Sequence, residues 1–482
     1  MPEGRWRAAA PLLIALVAAV LFRLPVLLNA DALNSDAAIV GVQARHFLDG
    51  DFAPRLWGAR YQASLDVAFV AVVFAVMRGS SALGVLLVPL LGMLAMISLV
   101  WALLRRALGG WGALLAVGPL VFATQAVNMP MTYVLRQSLV LWAIAAVWVF
   151  ENARGRVRWL AVGAVLVGAG PWLDTFFYVM LPPLVLFGLW RALEAPDRRR
   201  AVVVVLVCTA LAAIVLAAPR GKVGELAVDA DALRARWSLL SRQCLPFALG
   251  VRTWMTGSVL WSPPLAVTVL QGVAAVAFAA CVLAGALLRR DRSLWAFGVM
   301  GFVAGATALG GFMASSAPLD MWSTRYLAPL LWFSPFAVAP VIARLGARRA
   351  ALVLGPFVVS AAVSGWAAYG PFVDGPSIVR TPEGRGVDLP ELAAELRSRG
   401  VHFAYAPYWD AYRLSLLWQE DPVVVPLEPD LDRQPALRER VGAAERVASI
   451  ERVGEPPPEV SPPEVAVTVG TWRAVIRPQP LP

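Results

Sequence analysis

The sequence predicts a polytopic α-helical membrane protein of about 11 spans, with a small C-terminal α/β extracytoplasmic domain. Three observations carry that prediction. Of the 482 residues, 59% are hydrophobic and 15% charged, with a mean hydropathy of +0.67. A water-soluble fold of this size cannot hide that much apolar surface, whereas a bilayer accommodates it. Apolar stretches of near-span length recur through residues 1–369 and stop at Gly370. The net charge of +10 is divided unevenly: from Gly370 onward 12 Arg meet 17 acidic residues, which leaves about +15 on residues 1–369. That excess lies in short clusters between apolar stretches, the positive-inside pattern of membrane topology. No nucleic-acid partner is therefore expected; the lipid bilayer is.

Arg5 and Arg7 precede an apolar run that continues to about Leu28. This reads as an uncleaved first span with a cytoplasmic N-terminus. A span needs about 20 apolar residues. Eleven stretches qualify, roughly 8–28, 82–104, 111–128, 132–150, 158–173, 176–191, 200–218, 260–288, 293–313, 325–343 and 350–369. The clusters Arg105-Arg106, Arg154/Arg156/Arg158, Arg191 with Arg198-Arg199-Arg200, Arg289-Arg290/Arg292, and Arg344 with Arg348-Arg349 then all fall on the cytoplasmic side. Residues 63–77 are apolar but short; a full crossing there would reverse the later clusters, so they read as an embedded or interfacial helix on the outer side. Two outer loops follow, 29–61 and 219–259. The second holds a charged amphipathic stretch, Asp229 to Leu240, expected as an interfacial helix.

Two domains result: a membrane module over 1–369 and an extracytoplasmic domain over 370–482. In the latter, Leu389, Leu392 and Leu396 share one face of a helix stopped at Gly400. Residues 401–406 and Val423-Val424-Val425 read as strands, with a helix over Tyr408–Leu417 between them. The Pro-rich stretch Glu455–Glu464 reads as a linker before a last strand, 465–476. Cys208, Cys244 and Cys281 offer no disulfide framework, and His46 and His402 are too far apart in sequence to suggest a metal site. No cofactor is expected, and nothing in the sequence requires a metal. The Arg-rich composition, with Lys222 the only lysine, points to a bacterial source and so to the cytoplasmic membrane of a bacterium.

The first outer loop is the most informative. Asn34 or Ser35 caps a helix starting near Asp36, with Ile39, Val42 and His46/Phe47 on one side and Gly50 at its end. Asp36 then stands at the start of a helix lying against the outer membrane surface. It is either a general base for a substrate at the membrane plane or a complement to the helix dipole. Asp66 begins an apolar helix, where an acid is costly unless paired. Arg23 lies inside the first span and needs a partner, with Asp36 and Asp66 as candidates. Asp174, in Gly170-Pro171-Trp172-Leu173-Asp174, contacts a substrate or caps an interfacial turn. Arg325, in Thr324-Arg325-Tyr326-Leu327-Ala328-Pro329-Leu330, clamps a lipid phosphate or snorkels to the interface.

The order of these motifs resembles the family C (GT-C fold) glycosyltransferases, and most closely bacterial members of glycosyltransferase family 39. Those are relatives of the protein O-mannosyltransferases and of the aminoarabinose transferase that modifies lipid A. The resemblance rests on Arg23, an acid about a dozen residues on, and a helix ending in Leu48-Asp49-Gly50-Asp51-Phe52. The usual opening is an Asp-Glu pair; here Asp36 matches the first acid and Ala37 replaces the second. Gly58-Ala59-Arg60-Tyr61-Gln62-Ala63-Ser64-Leu65-Asp66 resembles a Tyr-x-Gly-Ser-Leu-Glu stretch, with Ala63 for the Gly and Asp66 for the Glu. The Asp174 turn resembles one near the family's substrate cavity, and Arg325-Tyr326-Leu327 resembles the opening of a late span. Tyr408-Trp409-Asp410-Ala411-Tyr412-Arg413-Leu414 resembles an outer-domain segment of some relatives, where the rings and Arg413 bind a sugar chain or form the domain core.

The resemblance implies a sugar carried on a polyprenyl phosphate as donor and a lipid, glycan or protein hydroxyl as acceptor, on the outer face of the membrane. Asp36 would be the base, with Arg23, Tyr61, Asp66, Asp174, Arg325 and Tyr326 binding substrate. Inversion at the anomeric carbon follows from attack opposite the phosphate. The alternatives are a transporter, which would place charges in mid-span and repeat its halves, and a non-catalytic member of the fold, for which Ala37 is the main support.

Overall fold

The computed structural model describes residues 3–124, 137–216, 225–251, 253–255, 258–261, 264–289, 291–367, 386–453 and 464–478. The start of the expected C-terminal domain, 370–385, and the Pro-rich linker up to 463 lie outside them. The chain divides into two compact units: Met1–Leu24, Leu90–Met131 and Arg136–Pro371 form one, and Pro25–Pro89, Thr132–Leu135 and Phe372–Pro482 the other.

Helices dominate the chain as far as 367: α1 (Glu3–Leu28), α2 (Ser35–Leu48), α3 (Leu65–Met77), α4 (Ala82–Val121), α5 (Gln137–Asn152), α6 (Val157–Leu173), α7 (Leu181–Leu193), α8 (Arg198–Leu216), α9 (Ala230–Leu239), α10 (Leu265–Leu287), α11 (Arg292–Ala314), α12 (Ser334–Leu345) and α13 (Ala347–Ala367). Among the described residues, six helices are long and apolar enough to cross a membrane, and the bent pair Met321–Trp332 and Ser334–Leu345 makes a seventh if taken as one span. The other expected stretches fall on shorter pieces, for local reasons. Gly109, at φ 69°, breaks the 40-residue α4 in two. Prolines at the start of α7 delay its first turn, and Pro171 lies in the last turn of α6. Among the described residues, the expected arginine clusters fall at helix ends, in the turns beside them or, for Arg105-Arg106, just before the Gly109 break; Arg290 lies outside those residues. Residues 65–77 form α3, whose 13 residues are too few for a crossing. The amphipathic stretch after 229 is α9, capped by the Asp229 carboxylate on Ala232 N.

In the helical unit, α10, α11 and α12 meet through glycines, as apolar helices do where backbones approach closely. A Cβ on Gly285 would lie 1.8 Å from the Ala337 carbonyl oxygen, and one on Gly301 2.6 Å from Ala337 N. Stacked rings fill the space beside this contact, Phe187 on Phe297 at 5.1 Å and Phe297 on Phe336 at 5.2 Å.

The second unit is mixed. The hairpin β1 (Arg55–Leu56) and β2 (Ala59–Ala63) links α2 to α3, and a second short hairpin, β3 (Thr253–Met255) with β4 (Ser258–Trp261), belongs to the helical unit. The C-terminal part runs α14 (Leu389–Ser398), β5 (Phe403–Ala406), α15 (Tyr408–Leu417), β6 (Val423–Pro426), α16 (Pro435–Gly442), β7 (Val447–Arg452), β8 (Val465–Val469) and β9 (Trp472–Arg477). Its sheet has the order β6-β5-β7-β9-β8, parallel across the first three strands and antiparallel thereafter. Leu389, Leu392 and Leu396 of α14 join Ala404, Leu414, Val424 and Ile450 in its core. The single last strand expected over 465–476 is a hairpin instead, because Gly470 turns the chain at φ 54°. Strand β7, which the sequence reading passed over, is the central strand that pairs with both β5 and β9.

The glycine contact predicts a difference within one helix. Gly285→Leu lowers stability by about 1–3 kcal/mol through forced separation of α10 and α12. Gly272→Leu, where a Cβ meets nothing within 4 Å, changes it little. Thermal unfolding of the purified protein in detergent measures both, and equal melting temperatures would refute the packing argument.

Candidate active site

Asp36 occupies the first turn of α2. Asn34 caps that helix, its side chain accepting from Ala37 N at 3.0 Å. The sequence places α2 at a membrane surface with one apolar side. In the structure residues 37–44 are all buried, because Ala37, Ala38, Gly41 and Ala44 are small enough to admit neighbours on several sides. Helix α3 packs on one side and α15 on another; the Gly41 backbone lies against the Leu416 side chain, which a Cβ would meet at 2.9 Å. Gln43 ties α2 to the hairpin, donating to Arg55 O at 2.9 Å and accepting from Trp57 N at 3.0 Å.

This packing brings α15 to Asp36. Tyr408 and Tyr412, four residues apart, share one face of α15. The Tyr408 hydroxyl donates to Asp36 Oδ1 in a short hydrogen bond. Arg433 completes the group: its Nη2 donates to the same Oδ1 at 3.0 Å and to the Tyr408 oxygen at 2.9 Å, and its Nε to that oxygen at 3.1 Å. Arg433 is itself held, with Nη1 on the Gly58 carbonyl at 3.3 Å and its backbone N–H on the Tyr412 hydroxyl oxygen at 2.7 Å. The Tyr412 hydroxyl donates to Asp432 Oδ1 at 2.6 Å. Burial, and then the charge of Asp36, push the Tyr408 phenol well above its ordinary range, so it stays a donor. Burial works against the Arg433 cation, but Asp36 and Tyr408 outweigh it and leave its pKa raised.

A second polar set lies on another face of α15. Asp410 accepts from Arg413 Nη1 at 3.2 Å and from Arg452 Nη2 at 2.9 Å, while Arg413 Nε donates to the Asp31 carbonyl at 2.7 Å. Tyr412 and Arg413 are buried. Toward the end of α2, His46 Nε2 faces Glu420 Oε1 at 3.0 Å and Nδ1 lies 3.4 Å from Asp51 Oδ2. The hydrogen bond to Glu420 is the largest influence on this imidazole; it outweighs burial and raises the pKa above the ordinary histidine value.

The remaining predicted residues divide between the units. Tyr61, on β2, is among the groups acting on Arg433, so it belongs with Asp36. Asp66 is buried in the first turn of α3. In the helical unit, buried Asp174 caps the 3-10 turn Thr175–Val179 by accepting from Phe176 N at 2.7 Å. Phe176 meets Tyr326, with ring centroids 5.9 Å apart, and the Arg325 guanidinium lies 5.2 Å from the Tyr326 ring centre. Phe176, Tyr178, Phe312 and Tyr326 line an apolar cavity of about 390 Å³. Arg23 is fully buried and donates to the carbonyls of Ala19, Leu120 and Val121 at 2.9–3.1 Å. Sequence reasoning missed Arg433 altogether, because its charge lies in a polar loop with no motif around it. Tyr408 is expected either to bind a sugar chain or to form the domain core; its ring is buried, while its hydroxyl meets Asp36. Among the described residues no group of three or more His, Cys, Asp or Glu side chains could hold a metal ion.

The chain is similar to two crystal structures of ArnT from Cupriavidus metallidurans, one bound to undecaprenyl phosphate and one in the apo state. Each aligns with a TM-score of 0.56 and 12% identity over 97% of this chain and 98% of ArnT. A crystal structure of the Archaeoglobus fulgidus oligosaccharyltransferase in complex with Zn and sulfate aligns with a TM-score of 0.47 and 12% identity, over 91% of this chain and 67% of that one. No protein-family model and no curated protein sequence matches the chain. ArnT and the oligosaccharyltransferase are GT-C fold membrane glycosyltransferases, and the ArnT alignment gives this chain that fold.

The His46 contact has a signed pH dependence. A histidine whose pKa is raised by folding contributes stability fully below its unfolded value of about 6.5, and that contribution is lost as pH rises through the folded value. The melting temperature therefore falls from pH 6 toward pH 8, and His46→Gln flattens that slope by lowering the value at pH 6. An unchanged slope in the variant would assign the dependence to another group.

Proposed function

We propose that this protein is a membrane glycosyltransferase that moves a sugar from a polyprenyl-phosphate donor to a lipid, glycan or protein hydroxyl on the outer face of a bacterial cytoplasmic membrane. Asp36 is the observation that carries the reading. In a chain with the GT-C fold, a carboxylate in the first turn of the first-loop helix is fixed by two donors on one of its oxygens. That is what a general base requires: an ionised group in a set orientation. Asp36 takes the proton of the acceptor hydroxyl. The acceptor oxygen bonds the anomeric carbon, and the bond from that carbon to the phosphate oxygen breaks with its electron pair going to polyprenyl phosphate. Attack from the side opposite the phosphate inverts the carbon. Arg325 is assigned to the donor phosphate, where a guanidinium offers two parallel hydrogen bonds. Arg23, Tyr61, Asp66, Asp174 and Tyr326 are assigned to substrate binding.

The accompanying topology has eleven spans: the six long helices with α4 counted as two at Gly109, the bent pair as one, and α5, α6 and α7 as short crossings. It keeps the arginine clusters on one side. The membrane module is 1–369 and the extracytoplasmic domain 370–482, with the 29–61 loop on the same side as that domain.

A second reading has one observation in its favour. Ala37 stands where relatives of the family carry a second acid, and a non-catalytic protein would keep Asp36 only as a structural partner for Arg433. Turnover decides between them. The full-length protein in lipid nanodiscs is given undecaprenyl phosphates carrying hexoses or pentoses, with a membrane lipid extract as acceptor, and release of undecaprenyl phosphate is measured. Wild-type protein releases it, and Asp36→Asn does so on the order of 10²–10⁴-fold more slowly. Release by wild type and variant at one rate would remove Asp36 as the base, and no release with any donor would favour the non-catalytic reading.

A further inference from the structure

We propose that Tyr408 and Arg433 are positioning residues for Asp36: they hold its carboxylate by Oδ1 and leave Oδ2 as the oxygen that takes the acceptor's proton. This rests on the reading of Asp36 as the base, and it makes the C-terminal part of the chain a component of the catalytic machinery.

Three observations converge on it. Both donors meet the same oxygen, the Tyr408 hydroxyl and Arg433 Nη2, and among the described residues Oδ2 takes no hydrogen bond. Two donors on one oxygen lock the plane of the carboxylate while keeping the other oxygen's lone pairs available. The donors are themselves fixed. Arg433 spends its remaining N–H groups on the Tyr408 oxygen and the Gly58 carbonyl, and the Tyr412 hydroxyl holds its backbone. The hairpin is shaped around it as well: a Cβ on Gly58 would lie 2.1 Å from Arg433 Cδ and 3.0 Å from its Cα. The arginine therefore passes over the one residue of that turn that has no side chain.

The arrangement performs two tasks of a base site. A cation and a phenolic donor give the part-buried carboxylate an ion-pair and a hydrogen-bond partner where it stands. A fixed carboxylate also meets an acceptor hydroxyl in one geometry, which saves the reorientation that a mobile side chain needs at each turnover. The charged and titratable groups facing this point are Tyr408 from α15, Arg433 from the segment before α16, and Tyr61 from β2 beyond the arginine, with the Tyr412–Asp432 pair behind it.

The test uses full-length protein in nanodiscs and the undecaprenyl-phosphate sugar that wild type turns over. Tyr408→Phe removes one oxygen and keeps the ring in place; Arg433→Met removes the cation; Arg433→Lys keeps a charge without the fork. We expect kcat to fall about 10- to 100-fold in Tyr408→Phe and Arg433→Met with little change in donor KM. Arg433→Lys should recover only part of kcat, because it keeps a charge without the fork. A fall in kcat matched by an equal rise in donor KM, or full recovery of kcat in Arg433→Lys, would reduce the pair to a structural role and overturn the inference. Asp36→Asn in the same assay keeps the two ideas apart, since undiminished turnover there sinks the base itself. A readout independent of turnover is the infrared carboxylate stretch of Asp36, taken as the difference between wild type and Asp36→Asn at one pH. Tyr408→Phe and Arg433→Met should each shift that band, because each removes a hydrogen bond from Oδ1, and an unmoved band overturns the inference even where no donor is consumed.

Discussion

A carboxylate placed among packed helices must be compensated where it stands. Asp36 is part-buried at the start of a helix that is buried along most of its length, and taking an ion even partly out of water without a partner is unfavourable. Its compensation comes from the far end of the chain, 372 residues away for Tyr408 and 397 for Arg433. Much of the mixed unit serves this contact. Gly41 lets α15 approach α2, Gly58 admits the arginine, and Tyr412 pins the segment that carries it. Arg433 in turn depends on Asp36, its one ion-pair partner among the described residues.

Helix α15 organises the two polar sets by helical spacing. Tyr408 and Tyr412 reach the Asp36 side, and Asp410 and Arg413, three apart, form the buried ion pair that extends to Arg452 and the Asp31 carbonyl. The apolar residues between them, Ala411 and Leu414, enter the core against the sheet. One short helix thus carries the first-loop contacts on two faces and the domain core on another, which is why so few of its residues are exposed.

Much of this architecture is legible in the sequence, for reasons that differ by element. The leucines of α14, the strands expected over 401–406 and 423–425, and helix 408–417 follow from periodicity and turn residues, and the structure has them there, the first strand starting two residues later at Phe403. The GT-C fold is legible from the order of short motifs, and the structural likeness to ArnT is to that same fold. The location of α2 is not, because its small residues read as a weakly amphipathic surface helix when no packing partner is in view. Strand β7 was passed over because Val447–Arg452 mixes charges into its exposed side. At the candidate site, Asp36 is legible from its place at a capped helix start. Tyr408 is legible only as an aromatic residue and Arg433 only as a charge, since nothing local indicates that a hydroxyl and a guanidinium so distant in sequence meet one oxygen.

The span between Asp36 and Arg433 also sets an order of events during synthesis. The ribosome releases α2 long before α15 and the segment that follows it, and the whole run of apolar helices lies between. Until the last quarter of the chain is made, the acid of the first loop lacks the Arg433 cation, and closing a loop of that length comes late and slowly in folding. The contact between Asp36 and its two donors therefore forms after the helices between them have been made, so a chain cut short before Tyr408 carries every predicted residue of the first loop and none of the clamp that holds Asp36.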